Sequence, residues 1–516
     1  MGNAVSTSTP PQHKDKEKET DAASSSSSSG QSLDWEGLRA SCPASPAPAE
    51  VPEVVEGLRA NFDTGATRSL EWRLRQLKAI EQMVLDNEKW IVDAAAVDLH
   101  RAPVETVGFE MAFCLDEVRK AQKELKSWVS PKKHSVPLLL KLDGSCNTYP
   151  EPKGVVLIIA PWNGPWALAV IPLIGAIAAG NCAVLKPSEL APHASLLLAS
   201  QVPKYLDNTA VRVVEGDASI AKVLLQEQWD HIFYTGGGRV AKFVAKAAAE
   251  YLTPLTLELG GKNPCFIDRT ANIPVAARRI AWAKCVNGGQ VCMSPDYLLV
   301  EPKVMEPLME ALKANIKEFY GNNPLKSPDF SKIISEGHFK RVLGLLQEVE
   351  ENVLFGGTYD EETLTIAPTF IREPPLDSSI MEEEIFAPLC SVFPVTNLEA
   401  AIKFIKRQEK KNGKPLFAYM FSSNSADIET FVQETSSGQV GVNDCMMNYS
   451  VIDAPFGGNG ASGMGSYRGK HSFDTFSNFK SVLKRGTWLD PAVRYPPYDE
   501  SKLKATHKLF VQGSLF

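Results

Sequence analysis

The chain has 516 residues, 44% of them hydrophobic and 22% charged, with a formal net charge of −7. That length exceeds what one hydrophobic core serves, so two or three domains are expected. The acidic balance argues against general nucleic-acid binding, which needs a basic face. Nine cysteines with no CxxC pair and no zinc-like spacing point to a reduced, cytoplasmic setting and to no metal site.

At the N-terminus, Met1-Gly2-Asn3-Ala4-Val5-Ser6 fits the N-myristoylation pattern, with Gly2 as the acceptor. A single such chain supports only weak, reversible membrane contact, on the order of 10⁴ M⁻¹. No second signal reinforces it: Lys14, Lys16 and Lys18 alternate with Asp15, Glu17 and Glu19, and the first cysteine is Cys42. The expected location is cytoplasmic, peripheral on a membrane at most. No apolar secretory segment follows the start. Residues 1–50 include the serine run Ser24–Ser29 and a Pro/Ala segment, a composition expected to stay disordered.

Over residues 68–99, Leu70, Leu74, Leu77, Ile80 and Val84 recur at spacings of three and four, which predicts a helical region with one apolar face. Residues 104–128 read the same way. Residues 154–185 carry no charge until Lys186, yet Pro161, Asn163, Gly164, Pro165 and Pro172 interrupt them. A strand, a turn and a helix from Ala167 to Ala179 therefore fit better than a membrane span.

Further short apolar runs follow at 182–185, 211–214 and 231–234, with helical stretches between them. A second alternating set begins near Pro264 and includes 297–300, 416–420 and 440–442. Strands that alternate with helices predict parallel sheets covered by helices, so the fold class is α/β with two α/β domains. Glu258 falls near their junction and Cys292 early in the second.

Three segments carry candidate chemistry. Asn287-Gly288-Gly289-Gln290-Val291-Cys292 presents a thiol from a Gly-rich turn, where backbone dipoles can favour thiolate. The commoner fate of a free cysteine is burial in the core. Leu257-Glu258-Leu259-Gly260-Gly261-Lys262 places a carboxylate in an apolar run, where burial would raise its pKa and suit it to general-base work. Strand 231–234 runs into Thr235-Gly236-Gly237-Gly238 and a helix, a geometry that can bind phosphate but departs from the GxGxxG fingerprint.

The first two of these segments resemble the two signatures of the aldehyde dehydrogenase superfamily. Pro161-Trp162-Asn163, Lys186-Pro187-Ser188-Glu189, Glu383-Glu384-Ile385-Phe386-Ala387-Pro388 and Pro455-Phe456-Gly457-Gly458 resemble its other landmarks, in family order. The block from Ser462 to Phe476 resembles the class 3 branch, which includes fatty-aldehyde dehydrogenases. The resemblance implies a Rossmann-like NAD(P)-binding domain over residues 51–130 and 151–257. It further implies a catalytic domain over 258–483 and an oligomerisation arm and tail over 131–150 and 484–516, serving a homodimer.

It implies Cys292 as nucleophile, Glu258 as base and Asn163 as oxyanion donor. Trp162, Lys186, Glu189, Thr235, Gly236, Gly237, Glu384 and Phe386 are implied at the cofactor, NAD with NADP possible. Gly164, Trp166, Met293 and Phe456 are expected along the substrate tunnel. Two departures stand out: Ala241 where glycine is usual in the cofactor turn, and Gly164 where a bulky aromatic is common. The second predicts a widened tunnel for a long or bulky hydrophobic aldehyde. Two other readings remain, a cysteine-dependent thioesterase or hydrolase and a non-catalytic scaffold. Lys262 is expected either to tune the site's charges or to sit at the surface.

Overall fold

A computed structural model of the chain describes residues 33–137 and 141–512. The first sheet contains β3 (Val155–Ile159), β4 (Cys182–Lys186), β5 (Val211–Val213), β6 (His231–Thr235), β7 (Leu255–Glu258) and the short β17 (Gly463–Met464), in the order β17-β7-β6-β3-β4-β5. All neighbours run parallel except β17, which is antiparallel to β7. The apolar runs form central strands because both faces are covered: every residue of β3 and β4 is buried. The chain moves outward from β3 through β4 to β5, then restarts on the other side with β6 and β7. That reversal between β3 and β6 opens a crevice beyond the strands' carboxyl ends, where open α/β sheets bind ligands. Into it lead the two segments already singled out, Pro161-Trp162-Asn163 after β3 and Gly236-Gly237 after β6.

The second sheet contains β8 (Pro264–Ile267), β9 (Tyr297–Val300), β10 (Val353–Phe355), β13 (Thr369–Arg372), β14 (Leu389–Pro394), β15 (Phe417–Phe421) and β16 (Gln439–Val442). Its order is β10-β13-β14-β9-β8-β15-β16, parallel except for β10. β11 (Tyr359–Asp360) and β12 (Thr365–Ile366) form a small antiparallel pair. A third, antiparallel sheet joins β1 (Lys132–His134), β2 (Gly144–Pro152) and β18 (Ser477–Arg485).

Several expectations change. Order begins before residue 50: Trp35–Ser41 is a helix with Leu38 buried. Trp35 donates to Asp93 at 2.7 Å and meets Trp90 and His193 edge-on at 4.9 Å. Arg39 pairs with Glu215 at 2.8 Å, and Ser45 exchanges hydrogen bonds with the Glu215 backbone. Two large apolar side chains in a polar stretch anchor it, which an average over fifty residues hides. Gly2 and the serine run lie outside the described residues.

The region 68–99 is two helices, Leu70–Asp86 and Glu88–Leu99, divided at Asn87. The stretch 104–128 contains a wide π-turn at Val107–Met111. The segment expected to close the catalytic domain returns to the first sheet. Gly463 pairs with Glu258, and helix Lys470–Thr475 packs so tightly on helix Ala167–Ala179 that a Cβ on Gly175 would meet Ser472 at 2.8 Å. β18, which pairs with β2, starts at Ser477, inside the span 258–483 expected for the catalytic domain. No helix among the described residues is long and apolar enough to cross a membrane, and none of their side chains cluster as metal ligands.

Candidate active site

The Cys292 loop is built from conformations few residues adopt. Helix Ile273–Cys285 ends, and Asn287, Gly288 and Gly289 all take positive φ, at 53, 62 and 71°. The glycines are required by space as well. A Cβ on Gly289 would lie 2.5 Å from the Ala387 carbonyl, and one on Gly288 would lie 3.0 Å from Ser331 O. Gln290 then locks the turn: its amide donates to Asn287 O and Lys332 O at 2.9 Å and accepts from Ile334 N at 3.0 Å. Beyond the thiol, Asn263 donates to Cys292 O at 2.7 Å and Ser294 O at 2.9 Å, and Tyr419 donates to Met293 O at 2.6 Å.

Asn163 approaches from the end of β3. Its side-chain amide donates to Gln290 O at 3.1 Å, two residues before the thiol. Its own carbonyl accepts from Asn287 Nδ2 at 2.9 Å and from Arg101. Glu258 arrives at the end of β7. It is only 4% exposed, and neither carboxylate oxygen has a hydrogen-bond partner among the described residues. Burial pushes its pKa well above the usual carboxylate value.

Burial also raises the Cys292 thiol, and the charges of Glu384 and Glu258 add to the rise. The backbone N–H groups of Cys292 and Met293 oppose it. The expected thiolate-favouring dipoles are therefore present but outweighed by desolvation.

Cys292, Glu258, Asn163, Gly164, Thr235, Met293 and Phe456 all line one cavity of ≈ 80 Å³. Its other walls are mainly aromatic and apolar, with Phe109, Phe113, Tyr449 and Tyr467 among them. Trp166 is not part of the wall. It is 1% exposed at the start of helix Ala167–Ala179, because its N–H and that of Ala167 donate to buried Glu110 at 3.0 and 2.7 Å. Gly164 does not widen the cavity either: a Cβ there would touch the Leu168 side chain at 3.1 Å, so Leu168 occupies the space a larger residue would use.

The remaining expected residues gather beside the crevice. Helix Gly238–Glu250 starts directly after Gly237. Among the described residues, a Cβ on Gly237 or Gly238 would have nothing within 4 Å, whereas one on Gly236 would lie 2.3 Å from the Tyr234 hydroxyl, so the room is at the helix start; the Thr235 hydroxyl is buried without a partner among those residues. An open helix N-terminus with a spare donor suits a phosphate-bearing group. At the end of β4, buried Lys186 donates to Glu189 at 2.7 Å, with Glu189 41% exposed. Trp162 and Phe386 meet edge-on, ring centroids 5.4 Å apart.

Glu384 lies against the Gly260 backbone, where a Cβ would fall 2.0 Å from its carboxylate. Burial and then Asp296 push Glu384 up to about 8, against the Gly261 N–H and Lys262. Lys262 is not a surface residue. It is 5% exposed and ties Asp296 to the carbonyls of Ile380 and Glu383 at 2.7 and 2.9 Å, fixing the segment that carries Glu384.

Arg101, Tyr449 and Tyr467 belong to the site and were not legible. Arg101 is a lone cation in its segment, and only the proximity of Glu105 and Glu110 at buried spacing hints at pairing.

A family model described as the aldehyde dehydrogenase family matches residues 40–482. "Aldehyde dehydrogenase family 3 member H1" of Arabidopsis thaliana is 43% identical, over 91% of this chain and 96% of its own. "Aldehyde dehydrogenase, dimeric NADP-preferring" of Canis lupus familiaris is 43% identical, over 87% and 98%. Among solved structures, "Substrate bound state of Staphylococcus Aureus AldH" superposes with a TM-score of 0.86 at 39% identity, covering 89% of this chain and 99% of that one.

Proposed function

Because this chain belongs to the aldehyde dehydrogenase family, we propose that it oxidises a slender apolar aldehyde to its carboxylic acid through a thioester on Cys292. The observation that carries this is the convergence of Cys292, Glu258 and Asn163 on one apolar cavity, next to the open helix start at Gly237. Burial raises the pKa of the thiol, so attack on the carbonyl carbon couples to proton loss. Glu258, in its ionised form, is the carboxylate in the cavity that can take that proton. A carbon–sulfur bond forms, and the aldehyde oxygen becomes an alkoxide. Asn163 holds one amide N–H on Gln290 O, which leaves its second for that oxyanion, beside the backbone N–H of Cys292.

A nicotinamide dinucleotide supplies the hydride acceptor when bound. The open Gly237–Gly238 turn, Thr235, the Lys186–Glu189 pair, and Glu384 with Trp162 and Phe386 fit such a group. Glu189 suits ribose hydroxyls, and Lys186 suits a 2′-phosphate, so use of both NAD and NADP is the reading. The acyl group then stays on sulfur. Glu258, once its proton has left to solvent, removes a proton from water, which attacks the thioester and releases acid and thiol.

The aromatic walls favour apolar substrates. Leu168 above Gly164 and a volume of ≈ 80 Å³ favour an unbranched chain over a bulky ring. A homodimer would use the arm, whose outer strand β18 exposes Phe479 and Leu483 along a nine-residue edge. The test is reduction of NAD and NADP with a series of aldehydes, with Cys292→Ala in parallel. Turnover that favours linear over branched aldehydes and falls to background in Cys292→Ala is expected. Equal turnover in Cys292→Ala, or none with any aldehyde, overturns the reading.

A further inference from the structure

Arg101 links the two loops that carry the chemistry, although its own segment lies far from both. Helix Glu88–Leu99 stops at His100, which takes φ 53°. The Arg101 N–H reaches back to Ala95 O at 3.3 Å, a helix-ending turn that sends the side chain inward. The guanidinium is 3% exposed and lines the cavity. Its Nε donates to Asn287 Oδ1 at 3.0 Å, one Nη donates to the Asn163 carbonyl and the other to Glu110 at 2.5 Å.

These contacts form a closed frame. Asn287, oriented by Arg101, donates through Nδ2 to Asn163 O at 2.9 Å and Gln290 O at 3.2 Å. Its backbone N–H donates to Glu105 at 3.0 Å. Glu110 accepts the first N–H groups of the helix that follows Asn163. The π-turn at Val107–Met111 adds a residue to the helix and brings Glu110 to the buried face, while Phe109 and Phe113 reach the cavity. A fork with fixed planar donors can bridge three acceptors, whereas a lysine offers one flexible ammonium point.

We propose that Arg101 is a positioning residue for the oxyanion pocket: it clamps the Asn163 loop onto the Cys292 loop and so aims the Asn163 amide at the reacting oxygen. The inference rests on the thioester reading above. It requires that the effect of Arg101 pass through the Asn163 side chain.

The test is a double-mutant cycle on the full chain with a saturating aldehyde and cofactor. Arg101→Lys is expected to lower kcat about 100-fold, as misplacement by roughly an ångström does, with aldehyde KM within about threefold. In an Asn163→Ala background the same change is expected to cost less than about threefold. The rate of Cys292 alkylation by iodoacetamide, which needs no oxyanion donor, is expected to match wild type.

Equal penalties in both backgrounds, or alkylation falling in step with kcat, would overturn the proposal and leave Arg101 a general support of the fold. Loss in Asn163→Ala with wild-type kcat in Arg101→Lys overturns it alone. Wild-type kcat in Asn163→Ala overturns the oxyanion reading as well. Should Arg101→Lys not fold, the Arg101→Gln/Glu110→Gln pair removes both buried charges together and enters the same cycle.

Discussion

Two glycine runs flank the site, and they use glycine for opposite reasons. In Asn287-Gly288-Gly289 all three residues have positive φ and the space around them is filled, with the Ala387 carbonyl 2.5 Å from where a Gly289 Cβ would sit. In Gly237-Gly238 the space is open, with none of the described residues within 4 Å of either Cβ. One run is a clamp that fixes a thiol among packed groups. The other is a clearing at a helix N-terminus. The two sides of the site therefore differ in rigidity and packing, and substitutions should affect them unequally.

Gly289→Ala should give the largest effect. It forces an L residue into a left-handed backbone, at roughly 1–2 kcal/mol, and drives a methyl into the backbone of a neighbouring loop that cannot retreat like a side-chain tip. Loss of aldehyde turnover and a lowered Tm are expected together, measured by cofactor reduction and thermal unfolding. A variant with wild-type Tm and turnover would mean that the loop is looser than its packing implies.

Glu258→Gln separates activity from stability on the clamped side. The carboxyl is buried without a hydrogen-bond partner among the described residues, and its pKa is raised. Above the unfolded-state value, near 4.3, the folded protein holds more protons than the unfolded chain. This group's contribution to stability is therefore greatest at acid pH and declines as pH rises through the folded pKa. Replacing it with neutral Gln should raise Tm at neutral and higher pH, by an amount that grows with pH. Thioester hydrolysis should fall about 100-fold, a typical cost of losing a general base. Rapid-quench measurement of acylated enzyme and thermal melts across pH check both halves. A pH-independent difference in Tm would remove the buried-carboxylate account.

The same contrast explains what was legible in sequence. β3, β4 and β6 could be read because short apolar runs ended by Pro or Gly leave few alternatives. Asn163 reads as an ordinary turn asparagine and came from the family resemblance alone, whereas Cys292 and Glu258 each break a local rule: a thiol after glycines, a charge in an apolar run. Arg101 breaks none. Its meaning comes from partners 9, 62 and 186 positions away, and such long-range packing leaves no periodic trace. Gly164 misled for a related reason. A missing side chain was visible, but Leu168, one helical turn on and filling the gap, carried no signal. Trp166 pointed inward because Glu110 holds the first N–H groups of its helix, another distant partner.

On the open side, Gly237→Ala should do little to stability. The residue has φ −75°, which alanine adopts freely, and beyond its chain neighbours a methyl meets none of the described residues within 4 Å. Tm should stay at or slightly above wild type, since alanine lowers the entropy of the unfolded chain. What should change is the KM for the dinucleotide, upward by about three- to tenfold, the scale of one crowded or lost phosphate contact. Titration of NAD and NADP at fixed aldehyde measures it. A fall in kcat with unchanged cofactor KM would mean that the clearing serves something other than the cofactor.

Leu168→Ala should have the smallest effect on turnover of linear aldehydes and the most selective one. Leu168 fills the space beside Gly164 in the cavity wall, so trimming it restores the wider tunnel that the glycine alone suggested. One or two methylenes of pocket shape correspond to discrimination of about 10-fold or somewhat more. The ratio of kcat/KM for branched or aromatic aldehydes over linear ones should rise by that factor, with kcat on linear substrates nearly unchanged. The double variant Gly164→Ala/Leu168→Ala should reverse part of the gain, because the new methyl re-enters the vacated space. If neither variant moves the ratio, the wall at Gly164 and Leu168 does not set selectivity, and the aromatic side of the cavity, from Phe109 to Phe456, becomes the part that reads the substrate.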